Sequence, residues 1–161
     1  MGLTPLPRFG PCGCTTLQLG ISVKFKIDHH PSSPDHHRVE LSIDDGGEAK
    51  AGGEFDFTFT STDQERLRWY WEDYLDYPIE PAADEARDAE RRVEEVGTEL
   101  FQAAFRDSAA SRLWSKVQPR LASNRIEISA PAPQGSPQIP WELMRDPATG
   151  AVLSSCAGSF V

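Results

Sequence analysis

Between residues 20 and 60 the apolar side chains recur at every second position in three separate runs. Ile21, Val23, Phe25 and Ile27 alternate with Ser22, Lys24 and Lys26. Val39, Leu41 and Ile43 alternate with Glu40, Ser42 and Asp44, and Phe55, Phe57 and Phe59 with Asp56, Thr58 and Thr60. A period of two places every apolar member on one face of a strand. The run D-H-H-P-S-S-P-D-H-H (28–37), with two prolines, reads as a loop, and Gly46, Gly47, Gly52 and Gly53 read as a flexible turn. Three strands with short connections predict an antiparallel meander.

From Ser61 the period changes to that of a helix. Ser61-x-x-Gln64 and Thr62-x-x-Glu65 are overlapping capping-box candidates. Leu67, Tyr70, Trp71, Tyr74 and Leu75 fall on one helical face, and Pro78 and Pro81 end that helix. A second helix over about 83–105 carries Val93, Val96, Leu100, Phe101, Ala104 and Phe105 as its stripe. Gly97 lies within it at a cost of about 1 kcal/mol relative to Ala, which close packing of a neighbouring backbone would justify. A third helix begins near Asp107 or Ser108, buries Leu113, Trp114 and Val117, and ends at Pro119. R-I-E-I-S (125–129) alternates as a fourth strand, and P-A-P-Q-G-S-P-Q (131–138) reads as a loop. The order β-β-β-α-α-α-β predicts an α+β architecture, with a loose leader (1–17), a β-meander (18–60) and a helical layer (61–122).

Of the 161 residues 25 are acidic and 16 are Lys or Arg, a formal charge of −9. Residues 63–99 hold thirteen acids against five bases, a net of −8. The acidity therefore belongs to two helices, as a solvated face with pairs such as Asp88–Arg92. An acidic chain lacks the clustered cations that replace phosphate counterions, so no nucleic-acid partner is expected. No apolar run reaches the roughly 18–20 residues of a membrane span, so no membrane partner is expected either. The N-terminus lacks the apolar core of a secretory signal. Three cysteines make no disulfide framework, which points to a reducing, cytoplasmic setting.

Four histidines, His29, His30, His36 and His37, lie within nine residues. Imidazoles so close together could hold a transition metal. Adjacent residues of an extended chain point in opposite directions, however, and Cys12 and Cys14 have no second cysteine pair to complete a zinc site. A solvated loop is the plainer reading, and no metal or cofactor is expected. Trp69, Tyr70, Trp71, Tyr74 and Tyr77 crowd one helix, chiefly as core. Trp69 falls off the stripe and is the member expected to face a partner. Cys156, in V-L-S-S-C-A-G-S, looks like a nucleophile delivered from the end of a buried strand, but no histidine follows His37 to act as its base.

Three strings stand out in order and spacing. These are L-R-W-Y-W-E-D-Y-L-D-Y (67–77) with Pro78 after it, E-V-G-T-E-L-F-Q-A-A-F (95–105), and I-P-W-E-L-M-R-D-P (139–147). Together they resemble the start of a bacterial CHAT domain, a caspase-like family of the caspase–separase clan. The resemblance covers about 55–161, with the domain proper over about 88–161. It implies that Trp69, Tyr70, Glu72, Tyr74, Gly97, Leu100, Phe101, Pro140, Trp141, Glu142, Leu143, Asp146 and Pro147 are structural motif positions. It also implies a largely parallel sheet covered by helices on both faces, and cysteine endopeptidase chemistry. The family's catalytic histidine and cysteine lie in H-x-x-G-H-G and L-S-A-C type motifs, and neither is present here. The expectation is the N-terminal part of a caspase-like domain: the meander, three helices and the first elements of an incomplete α/β fold. It has no catalytic residue, is inactive alone, and leaves Trp141 partly exposed. Its partner would be the remainder of the same domain or another protein. The alternative is a non-catalytic interaction module that uses Trp69 and the Trp141 segment.

Overall fold

A computed structural model describes residues 23–44, 48–74, 82–130 and 139–161. The leader (1–17), Cys12 and Cys14, Leu75 to Pro81 and the 131–138 run lie outside the described residues. Among the described residues the fold is mixed α/β, a five-stranded sheet with four helices. In chain order the elements begin with β1 (Lys24–Pro31), β2 (His36–Asp44), β3 (Glu48–Asp56), α1 (Ser61–Trp69) and α2 (Ala83–Ala104). There follow α3 (Ser108–Val117), β4 (Arg125–Ser129), α4 (Leu153–Cys156) and β5 (Ser159–Phe160).

The sheet order is β3-β2-β1-β4-β5. The first three strands form the antiparallel meander. β4 then lies parallel to β1, and β5 parallel to β4, which makes the sheet mixed. Two boundaries differ from the sequence reading. The histidine run is not a loop. Asp28 to Pro31 continue β1, His36 and His37 open β2, and only residues 32–35 turn, with the Ser32 and Ser33 amides both donating to the His36 carbonyl at 3.0 Å. Gly52 and Gly53 lie inside β3, and Phe57 and Phe59 follow that strand.

Phe25, Ile27, His29, His37, Val39, Leu41, Ile43 and Ile126 are buried on one face of the sheet. Lys26, His30, Arg38, Glu40, Lys50 and Glu54 are exposed on the other. Among the described residues the sheet is thus covered on one face, whereas the family resemblance implies cover on both. The inner face of β3 offers only Ala49, Ala51 and Gly53 before Phe55, and these small residues let α3 approach β3 and β2. Val96, Leu100, Phe101 and Ala104 from α2 and Leu113, Trp114 and Val117 from α3 complete the core. At its centre Phe25, Phe101, Phe105 and Trp114 pack together, with Phe25 stacked on Phe105, Trp114 edge-on to Phe25 and Phe101, and centroids 4.6–6.3 Å apart.

α1 is capped one residue earlier than the sequence suggests. Thr60 Oγ1 accepts from the Asp63 amide at 3.1 Å, and the Asp63 carboxylate accepts from the Thr60 amide at 3.3 Å. The same buried carboxylate accepts from Arg92 Nε at 2.8 Å and Nη2 at 3.2 Å, so one side chain both starts α1 and ties it to α2. Arg92 is therefore turned away from Asp88, which pairs with Arg91 at 3.0 Å instead. The Arg92 guanidinium holds the Asp63 carboxyl below its ordinary value. A depressed carboxyl contributes stability at pH above its unfolded value, and the contribution is lost as pH falls through the folded value. Asp63→Ala should cost about 1–3 kcal/mol at neutral pH, measured by urea denaturation, and the gap to wild type should narrow below about pH 4. A gap of constant size down to pH 2 would count against this role.

Candidate functional site

The Pro-Trp-Glu-Leu segment forms one 3₁₀ turn over Trp141–Leu143, with the Leu143 amide donating to the Pro140 carbonyl at 3.0 Å. Ile139, Pro140, Trp141, Leu143 and Met144 are buried and Glu142 is exposed. The turn rests on α2 at Gly97. A Cβ there would lie 2.1 Å from the Leu143 carbonyl oxygen. The Arg145 amide donates to the Gly97 carbonyl at 3.0 Å. Two of the three strings singled out in the sequence therefore meet backbone to backbone. Leu100 and Phe101, on the next turn of α2, lie in the core. Asp146 is buried and accepts from Trp114 Nε1 (3.3 Å), Gln118 Nε2 (2.8 Å) and the Ala148 amide (2.9 Å), which fixes the segment to α3. Pro147 is exposed, and Gly150 closes the following turn at φ 69°.

Trp141 is 5 % exposed, contrary to the expectation that it is left partly open. The paired strands β1 to β3 already supply a face for it. Its ring meets His29 at 5.5 Å and Phe55 at 6.3 Å, both edge-on, and its Nε1 has no hydrogen-bond partner among the described residues.

Beside it lies a pair that the sequence reading placed in solvent. His29 and His37 are 5 % and 3 % exposed, on the inner face of the sheet. His37 Nε2 is 3.1 Å from the Phe57 carbonyl oxygen, which can only accept, so that nitrogen carries the proton. His37 Nδ1 is then a bare acceptor, and His29 Nε2, 3.1 Å away, donates to it. Both rings are neutral in this chain of bonds. Burial, then His37 and His30, lower the His29 imidazole to about 4. Burial lowers His37 as well, against the upward pull of the Phe57 carbonyl, Asp35 and Asp56. His36 points outward and bonds Asp56 at 2.8 Å, which raises it. The strands therefore split the four histidines between two faces, and among the described residues no three His, Cys, Asp or Glu side chains form a metal-sized group. The signal was in the sequence: His29 extends Phe25–Ile27, and His37 precedes Val39–Leu41–Ile43, each by one further step of two.

The aromatic string is placed differently from its helical pattern. After Trp69 the helix widens into a π turn over Tyr70–Tyr74, which changes the residues per turn and rotates the later side chains. Trp71, expected in the stripe, is 45 % exposed, and Glu72 is exposed. Trp69, expected to face a partner, is half-buried against Tyr74 at 5.6 Å. Tyr70 stacks on Tyr74 and donates to Glu90 at 2.6 Å; burial, then Glu90, push its hydroxyl above the ordinary range.

Cys156 does not end a strand. It closes the helical turn α4, half-buried, before β5. No helix among the described residues is long and apolar enough to cross a membrane. Searches against family models, curated proteins and solved structures found no match for the chain.

Proposed function

We propose that these residues are the N-terminal, non-catalytic part of a CHAT-like, caspase-like cysteine peptidase domain, acting as the scaffold on which the catalytic strands are laid. One observation carries the reading. The glycine of the second motif string accepts the backbone of the third, so Gly97 and Pro140–Leu143 behave as two halves of one structural device. The chain also turns from an antiparallel meander into parallel pairing at β4 and β5, the pairing that a caspase-like sheet would continue. A cysteine peptidase needs a histidine base beside its thiol. Within these 161 residues the described histidines are committed to β1 and β2, and Cys156 lies in α4. On this reading the scaffold has no peptidase activity of its own, since neither the H-x-x-G-H-G nor the L-S-A-C type motif occurs in these residues.

The test is the coding DNA on the 3′ side of the Val161 codon. A continuation, in frame or frameshifted, that carries H-x-x-G-H-G and L-S-A-C type motifs is expected. Unrelated sequence there would remove the reading. A second reading, a protein-interaction module, is favoured by the exposed Trp71 beside Trp69 and Tyr74. The Trp141 segment is too buried to take part in it.

A further inference from the structure

We propose that the His29–His37 pair is an acid-sensitive latch that holds the Trp141 turn against the end of the sheet. The inference goes beyond the family reading and does not rest on it. Its basis is the bonding order fixed by the Phe57 carbonyl: Phe57 O accepts from His37, and His37 Nδ1 accepts from His29 Nε2. The only nitrogen of His37 free to take a proton is the one that already receives the His29 N–H. Protonation there puts a charge on a pair that is only 5 % and 3 % exposed, and the bond survives only where His29 moves its own proton from Nε2 to Nδ1.

The charges around the pair give the direction. On β1, His30 disfavours a proton on His29; on β2, His36 disfavours one on His37. Asp35 in the turn and Asp56 on β3 favour one on His37. The third element packed there, the Trp141 turn, presents an uncharged indole set edge-to-face with His29, while its Glu142 is exposed. The first proton therefore goes to His37 Nδ1, the nitrogen that faces His29. Both rings take up a proton less readily buried than free, so the open form binds more protons and acid drives opening. Opening occurs at Trp141 rather than between the strands. β1 and β2 are held by a continuous backbone ladder, whereas at this end the turn is held by ring contacts to His29 and Phe55.

The full chain labelled with 5-fluorotryptophan reads this directly by ¹⁹F NMR, with the Trp141 line assigned through Trp141→Phe. The Trp141 line should move toward its solvent-exposed position with a midpoint between about pH 4 and 6.5, while the Trp114 line, from the ring cluster, stays in place. In His29→Gln/His37→Gln the Trp141 transition should vanish over that range. Trp141 moving only together with Trp114, or the double variant keeping the transition, would overturn the latch. Should the double variant fail to fold at pH 7, imidazole C–H titration of the wild type decides. His29 and His37 sharing the Trp141 midpoint support the latch, and Trp141 moving while both stay neutral overturns it.

Discussion

Gly97→Val should destabilise the fold by about 3 kcal/mol or more, seen as a lower urea midpoint at unchanged slope. The obstacle is backbone: a Cβ would sit 2.1 Å from the Leu143 carbonyl oxygen and 3.1 Å from its carbonyl carbon. No rotamer change relieves that contact. The turn must retreat, and the 3.0 Å bond from the Arg145 amide to the Gly97 carbonyl goes with it, at a further cost of about 1 kcal/mol. Gly97→Ala separates the two effects. Alanine gains about 1 kcal/mol of helix propensity yet meets the same carbonyl, so a net loss of about 2 kcal/mol is expected. An alanine variant as stable as wild type would show that α2 and the Trp141 turn do not make this approach.

Trp141→Ala should cost about 3–5 kcal/mol, and Trp71→Ala less than about 0.5 kcal/mol, in the same urea experiment. The two residues are of one type, and both stand in motif strings. Trp141 fills the space between His29, Phe55 and α2, where truncation leaves a void that paired strands cannot collapse to fill. Trp71 is 45 % exposed on the π turn and loses little area when shortened. Equal losses for the two would contradict this placement of the segment.

Much of the secondary structure was legible because it depends on neighbours a few residues apart. The alternation of Val39, Leu41 and Ile43 gave β2, and the stripe of Val96, Leu100, Phe101 and Ala104 gave the buried face of α2. Asp107 caps α3 where the pattern put its start, with its carboxylate accepting from the Ala109 amide at 2.7 Å. The misread places are those where long-range contact overrode a local rule. Prolines and serines argued for a loop over 28–37, yet cross-strand pairing of His29 with Val39 and Pro31 with His37 kept the strands extended to residues 31 and 36. Ideal helical periodicity put Trp71 inside, and a π turn put it outside. The capping box fell on Thr60 and Asp63 because Asp63 also reaches Arg92, a partner 29 residues away.

By itself the amino-acid order determined which residues alternate, which recur at helical spacing, and that Gly97 needed a reason to sit within a helix. Those are properties of backbone geometry and of side-chain polarity along a single element. Only the tertiary structure decided that the reason is the Leu143 carbonyl, that β4 pairs parallel with β1, and that two of four adjacent histidines are buried and bonded to each other. Each of those outcomes joins elements far apart in the chain. Their energies come from packing density and from buried polar groups finding partners, and neither quantity exists until the elements have met.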